Sequence, residues 1–352
     1  MSGISPSSRL LEGVRKIELG DLSGPGLLTG SRAPGQPGLA ALAQARCNVE
    51  AALLDRGAAV LRGFDIKNPS DFSLAAGVLC RELEKNYGDL VKSGQVDTIY
   101  DATWYPADMA ILFHNEGAHT ATIPTRQFFY CVEPAAQGGE TPLADCRLVY
   151  SRLPPLLRRR FEVSGLCYVR NFVDGLDVSW REFFRTEDEA AVEATCRAQG
   201  MAVEWLEDGL CVKTWAPAVV RHEHTGALCF FNQVLLHHPA CLPPESRRAL
   251  EDLYGPEGLP RNVTFGDGAP IPDDWVGDVL DITSSSGVCF DWQAEDMVVL
   301  DNVLCSHARR AYSGPRKVAV ALGDVRAPRA LFGVEACSFS EESRFETAPE
   351  VE

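Results

Sequence analysis

The chain has no apolar run long enough to cross a bilayer, no two cysteines in C-x-x-C spacing, and comparatively little positive charge. The first absence excludes a helical membrane protein, because a spanning helix needs about 20 consecutive apolar residues. The second bears on the twelve cysteines. They are scattered through apolar segments such as Leu228-Cys229-Phe230 and Val288-Cys289-Phe290, a pattern of reduced, buried thiols rather than of disulfides or a zinc knuckle. The third follows from 33 Lys and Arg against 49 Asp and Glu, a formal net charge of −16. A field of that sign repels a polyanion, so nucleic acid is not expected as a partner. One local exception, Arg158-Arg159-Arg160, follows Pro154-Pro155 in what reads as a short helix. It is taken as a solvated face, with docking of an acidic carrier protein as the alternative. The opening residues, Met1-Ser2-Gly3-Ile4-Ser5-Pro6, lack the basic start and apolar stretch of a secretory signal, which predicts a cytoplasmic location.

What the chain does contain is an ordinary globular balance, 45% hydrophobic and 23% charged over 352 residues. The pattern predicts an irregular segment over residues 1–38, a single domain over 39–330 and a tail over 331–352. A helix is expected from Leu39 to Leu54, a buried strand from Gly57 to Phe64, and a second helix capped by Ser70 and running to Leu83. From residue 109 short apolar runs alternate with Gly, Pro and Asp: Met109 to Phe113, Gln127 to Val132, Gly209 to Lys213, Ala227 to Phe231, Val288 to Trp292, Met297 to Leu300 and Lys317 to Leu322. Such texture implies a mixed α/β chain, mainly β, with a sandwich or barrel core and flanking helices. Residues 174 to 205, with Glu187, Asp188, Glu189 and Glu193 among alanines, read as an amphipathic helical insert placed to act as a lid.

Chemistry concentrates in His114-Asn115-Glu116 and a distant His307. Residues i and i+2 of a strand share a face, so His114 and Glu116 can reach one ion, with His307 supplied from beyond the strand Met297 to Leu300 and the turn Asp301-Asn302. Two imidazoles and one carboxylate cap one face of an octahedral ferrous ion and leave three positions for a chelating cosubstrate and dioxygen. The same three groups would also suit a zinc hydrolase. A non-catalytic jelly-roll binding protein is the third reading. A dicarboxylate that chelates iron through a 2-oxo acid end needs a cation and a hydroxyl at its far end, roles that fit Arg316 and Thr141. His222-Glu223-His224 reads as a solvated loop between strands, and His237-His238-Pro239 as packing beneath a loop, with a place in the lining of the substrate pocket as the alternative. His119 is expected to face the cavity as a candidate substrate contact without binding metal, and Asn115 and Asn232 are candidate hydrogen-bond donors to substrate.

These residues resemble the taurine dioxygenase (TauD/TfdA) family of Fe(II)/2-oxoglutarate-dependent oxygenases over roughly residues 50 to 325. The resemblance is carried by Arg62-Gly63-Phe64, His114-Asn115-Glu116, Phe129-Tyr130-Cys131, Gly138-Gly139-Glu140-Thr141-Pro142, Phe231-Asn232-Gln233, Asp267-Gly268, Asp301-Asn302, His307 and Arg316. The branch it looks most like is that of SyrP-type hydroxylases of amino acids or aminoacyl carriers, in which Glu is the second ligand. The resemblance implies a double-stranded β-helix (jelly-roll) core. It implies His114, Glu116 and His307 as iron ligands, Thr141 and Arg316 as 2-oxoglutarate contacts with Arg309 as the substitute arginine, and O2 as cosubstrate. Because halogenating relatives replace the carboxylate, Glu116 points to hydroxylation; desaturation, epoxidation or cyclisation would use the same iron site. The implied substrate is a small molecule, an amino acid or a derivative, free or presented on a carrier protein.

Overall fold

The computed structural model describes residues 10–21, 24–30, 38–87, 90–94, 96–102, 105–173, 179–207 and 209–328. Its strands are β1 Arg15–Lys16, β2 Gly26–Thr29, β3 Ala58–Arg62, β4 Tyr100–Asp101, β5 Ile111–His114, β6 Ile123–Glu133, β7 Gln137–Gly138, β8 Leu143–Asp145, β9 Leu166–Val173, β10 Met201–Leu206, β11 Gly209–Ala216, β12 Val219–Arg221, β13 Leu228–Phe230, β14 Arg261–Phe265, β15 Gly287–Cys289, β16 Met297–Asp301, β17 Cys305–Arg309, β18 Tyr312–Ser313 and β19 Lys317–Arg326. Six strands form one sheet in the order β2-β3-β16-β6-β19-β4, and five form a second in the order β1-β15-β8-β17-β5.

Period-two alternation sorts the side chains of the larger sheet. Val60, Phe129, Val298, Leu300, Val318, Val320 and Leu322 join Leu143, Phe290 and Cys305 of the smaller sheet in one core layer. Their neighbours Ala59, Leu61, Phe128, Tyr130, Met297, Val299, Ala319 and Ala321 turn outward against helices α1 (Gly38–Arg56) and α2 (Pro69–Leu79). A strand buried on both faces reads as an unbroken apolar run, as Met297-Val298-Val299-Leu300 does. Two facing sheets around one apolar layer, flanked by helices, are the jelly-roll core of a mixed, mainly β chain. The outer face of the smaller sheet is covered by α3 (Cys146–Arg152), α4 (Pro155–Ser164) and the later helix Asp273–Ser286, through Val149, Leu157, Phe161, Val276 and Val279.

The structure departs from the sequence pattern in instructive places. Helix α2 is capped by Asn68, whose Oδ1 accepts the Asp71 amide, because Pro69 already occupies the first helical turn. It stops at Leu79 rather than Leu83, since the Arg81 and Glu82 amides donate to Asp324 Oδ1 and Leu83 pairs with Gly323. Residues 174 to 205 are not one helix. Residues 174–178 lie outside the described residues; the rest forms α5 (Trp180–Phe184), α6 (Glu189–Ala198) and β10. Met201-Ala202-Val203-Glu204-Trp205-Leu206 alternates with the period of a strand, and Gly200 at φ 70° makes the turn into it. This insert packs on its own cluster of Phe172, Trp180, Val192, Cys196, Leu210 and Val212. The expectation for thiols holds: no disulfide joins the described cysteines, and all except Cys47 and Cys241 are buried.

Candidate metal centre

Strand β17 was not legible in advance, and it is what completes the centre. The sequence places His307 beyond a strand; the structure places it within one, where antiparallel pairing of β17 with β5 sets His307 directly opposite His114. Directly opposed side chains in such a ladder are near neighbours, and the two imidazole centroids lie 4.1 Å apart. A register shift between His307 and Arg309 marks a bulge, so the ladder opens beside the two rings. Glu116 lies past the end of β5, in a turn, so strand alternation alone does not aim it. Its peptide is instead fixed by Asn302: the Glu116 amide donates to Asn302 Oδ1 at 2.9 Å, and Asn302 Nδ2 donates to the Glu116 carbonyl at 2.8 Å and to Pro124 O at 2.8 Å. Ligand atoms of His114, Glu116 and His307 come within 4.8 Å of one another.

The protonation states suit a cation. His114 Nδ1 is 2.8 Å from the Leu112 carbonyl; as donor there, it leaves Nε2 with its lone pair. Burial pulls the His114 pKa from 6.5 to about 4, and that of His307 falls well below its usual value through burial and the neighbouring His114. Both rings are therefore neutral at pH 7, as ligation requires. Among the described residues His307 Nδ1 is buried with no hydrogen-bond partner, and its Nε2 has the long contact to Gln127 Nε2 at 3.5 Å. A buried imidazole so poorly satisfied fits a place at a metal ion. The Glu116 carboxylate accepts from Tyr87 Oη at 2.7 Å on Oε1 and from Gln127 Nε2 at 3.3 Å on Oε2.

The three groups line a cleft of about 500 Å³ together with Leu90, Ala102, Ile111, Gln127, Phe129, Thr141, Arg309, Arg316, Val318 and Val320. The two arginines differ. Arg309 spends Nη1 on Tyr105 O and Nη2 on Pro106 O and Met109 O, so it braces the loop before β5. Arg316 donates only Nε, to Gly139 O at 2.9 Å, and its Nη atoms have no partner among the described residues. Burial and the neighbouring Arg309 lower its pKa to about 10, which still leaves a cation at neutral pH. Gly139 has φ 72°, and a Cβ there would stand 2.9 Å from Arg316 Cδ, so a side chain would push the guanidinium aside. The Thr141 hydroxyl accepts from Trp292 Nε1 at 3.2 Å, which orients its oxygen while its own proton stays available to donate.

Other expected site residues are placed elsewhere. Asn115 is spent on the backbone, with Nδ2 donating to Asn302 O at 2.7 Å and Oδ1 accepting from the Asn232 amide at 3.2 Å. Asn232 Oδ1 accepts from the Val234 amide. Both asparagines brace the turn behind the centre, and neither is in the lining of the cleft. His119 is also absent from that lining; its ring lies 5.1 Å from His237 and 5.6 Å from Tyr168. His222 is not solvated: it is 4% exposed and sits 3.3 Å from Asp301, which Arg126 also binds at 2.8 Å. The turn between β12 and β13 folds this ring onto Asp301, a contact about 80 residues away that no local pattern announces. The wall formed by Leu90 and Ala102 belongs to the segment before β5, whereas α5, α6 and β10 contribute nothing to the described lining. The residues that sequence reasoning missed are Tyr87, Gln127 and the pinning role of Asn302; period-two alternation in β6 signals only that Gln127 shares the inner face with Phe129.

Such a centre, two neutral imidazoles and a carboxylate lining one cleft with a cation and a hydroxyl, defines a class of non-haem iron oxygenase. The model of the family "Taurine catabolism dioxygenase TauD, TfdA family" matches residues 36–322, and the chain belongs to that family. It is a 2-oxoglutarate-dependent dioxygenase using Fe(II), which sets aside the hydrolase and binding-protein readings. The chain is 34% identical over 285 residues to dapdiamide synthesis protein DdaC of Enterobacter agglomerans, covering 80% of this chain and 86% of that one. It is 32% identical over 288 residues to a clavaminate synthase-like protein of Arabidopsis thaliana, covering 78% and 83%. Among solved structures, PvcB of Pseudomonas aeruginosa matches with TM-score 0.47 and 13% identity over 88% of this chain and 94% of that one. No helix among the described residues is long and apolar enough to cross a membrane.

Proposed function

We propose that the enzyme hydroxylates an unactivated C–H bond of an amino acid or amino-acid-derived substrate, free or held on a carrier protein, with Fe(II) bound by His114, Glu116 and His307 and 2-oxoglutarate by Thr141 and Arg316. The observation that carries this reading is the shared cleft: three metal-binding side chains and an arginine with uncommitted Nη atoms line one cavity. Similarity to a protein named for dapdiamide synthesis supports a substrate from specialised metabolism. Iron with 2-oxoglutarate, when bound, couples decarboxylation of the oxo acid by O2 to oxidation of a substrate carbon, leaving succinate and CO2.

The chain's own residues hold and shield that chemistry. His114 offers Nε2 because Leu112 O holds its other nitrogen. Arg316 supplies a cation whose desolvation cost is offset when a carboxylate arrives, and Thr141 adds one donated hydrogen bond. Leu90, Ala102, Ile111, Val318 and Val320 line the cleft with apolar surface that excludes water. Glu116 fills the ligand place that a halide would need, which favours hydroxylation over halogenation. The test is anaerobic loading with Fe(II) and 2-oxoglutarate, then a screen of amino acids, aminoacyl carrier thioesters and unrelated acids for succinate release coupled to product. A charge-transfer band in wild type with succinate release driven by amino-acid compounds is the expected result. A band with release driven by unrelated acids alone would refute the substrate class, and a folded, metal-loaded wild type without a band would refute the site.

A further inference from the structure

Both oxygens of the Glu116 carboxylate are engaged by donors from different parts of the fold. Tyr87, in the segment before β4, donates to Oε1 at 2.7 Å, and Gln127, on β6, donates to Oε2 at 3.3 Å. Two donors on two oxygens fix the carboxylate plane as well as its position. The Gln127 amide cannot be turned over, because its oxygen would then face a carboxylate oxygen. Its orientation carries a cost: Oε1 is buried with no partner among the described residues, in a side chain 1% exposed. Packing alone does not repay an orphaned buried acceptor, so the amide is kept for what its Nε2 holds.

We propose that Tyr87 and Gln127 are positioning residues that restrict Glu116 to one-oxygen contact with the bound metal. This rests on the metal reading above. A carboxylate that swings to bind through both oxygens takes a second place at the ion; with two imidazoles and a two-toothed 2-oxo acid, all six octahedral positions are then filled and O2 has no entry. Holding each oxygen on a separate donor preserves the open place.

The test loads the full chain with Mn(II) alone and measures water-proton relaxivity, which counts exchanging waters at the ion. Wild type is compared with Gln127→Leu and Tyr87→Phe, the second keeping the ring and removing only the hydroxyl. The expected result is that metal still binds and relaxivity falls by about one third in each variant, three open positions becoming two. With Fe(II) and 2-oxoglutarate the anaerobic charge-transfer band still forms in the variants and persists longer after air is admitted. Unchanged relaxivity in a folded, metal-loaded variant overturns the proposal, and so does weakened metal binding with no change in relaxivity, the signature of a merely structural role. Tyr87→Phe alone decides the matter should Gln127→Leu fail to fold. A wild type that binds no Mn(II) overturns the site reading itself, a result separable from the failure of the variants.

Discussion

The two ends of the cleft are built on opposite plans. At the metal end, His114 and His307 face each other across a ladder, and the Glu116 peptide is tied at both its N–H and its C=O to one asparagine. At the other end, among the described residues, the Arg316 side chain keeps a single hydrogen bond to the protein, and the Thr141 hydroxyl a single accepted one. The metal end is rigid because the ion tolerates little displacement, while a long arginine can adapt to an incoming carboxylate and keep its donors free until then. The ends should therefore fail differently when altered.

The largest effect belongs to the ladder. His307→Ala removes one proposed ligand and one ring of the tilted pair, and metal affinity should fall by more than about 100-fold, measured by titration with Mn(II). Asn302→Ala comes next and tests the peptide tie. It strands the Glu116 amide and carbonyl and Pro124 O, all interior groups, so a loss of about 3 kcal/mol in stability is expected from the unmade hydrogen bonds, with metal affinity falling as well. A thermal melt of the metal-free protein separates the two consequences. An Asn302→Ala protein as stable as wild type would mean that Glu116 is aimed by something other than this tie.

How much of this contrast could be read from the chain depends on distance along it. His114 and Glu116 are two residues apart, and their pairing survives even though Glu116 sits past the strand end. Thr141 and Arg316 each come two residues after a glycine, Gly139 and Gly314, a local turn signal, and the structure keeps both in the cleft. Asn115 was read as a donor to substrate; its amide is consumed by backbone groups that come close only when β5, the 302 turn and the 232 loop converge. Tyr87 and Gln127 have no local motif, and Asn302, though part of the Asp301-Asn302 turn, is tied to Glu116 across 186 positions. The core was legible for a related reason: the alternation in β19, with Val318, Val320 and Leu322 inward and Ala319 and Ala321 outward, is a property of consecutive residues. Strand β17 escaped because Cys-Ser-His-Ala-Arg mixes polar residues into both faces.

The adaptable end gives a smaller and more selective effect. Arg316→Ala should weaken 2-oxoglutarate binding by about 10- to 100-fold, the loss of one charge-assisted carboxylate contact of roughly 1.5–3 kcal/mol, and leave Mn(II) affinity unchanged. Arg309→Ala should do the reverse of a binding defect, lowering stability because Tyr105 O, Pro106 O and Met109 O lose their donors. Equilibrium titrations of the two variants with 2-oxoglutarate check the assignment. A binding loss confined to Arg309→Ala would exchange the two roles.

The smallest effect is on pH, and it isolates the rigid end. The His114 pKa is held near 4 rather than 6.5, so the folded protein binds fewer protons than the unfolded chain between those values. Stability of the metal-free protein is therefore fully present above pH 6.5 and is lost as pH falls toward 4, the direction set by the unfolded state taking up more protons. The same displacement governs metal binding. A ring already neutral at pH 6 has no proton to surrender, so Mn(II) affinity should stay nearly flat from about pH 6 to 8 as far as His114 is concerned. Calorimetric titration in buffers of different ionisation enthalpy reads this directly, with close to zero protons released from the histidines at pH 7. Release of about a quarter of a proton per histidine at pH 7, rising to about three quarters at pH 6, would place a histidine pKa near its ordinary value and show that burial does not control the histidine pair.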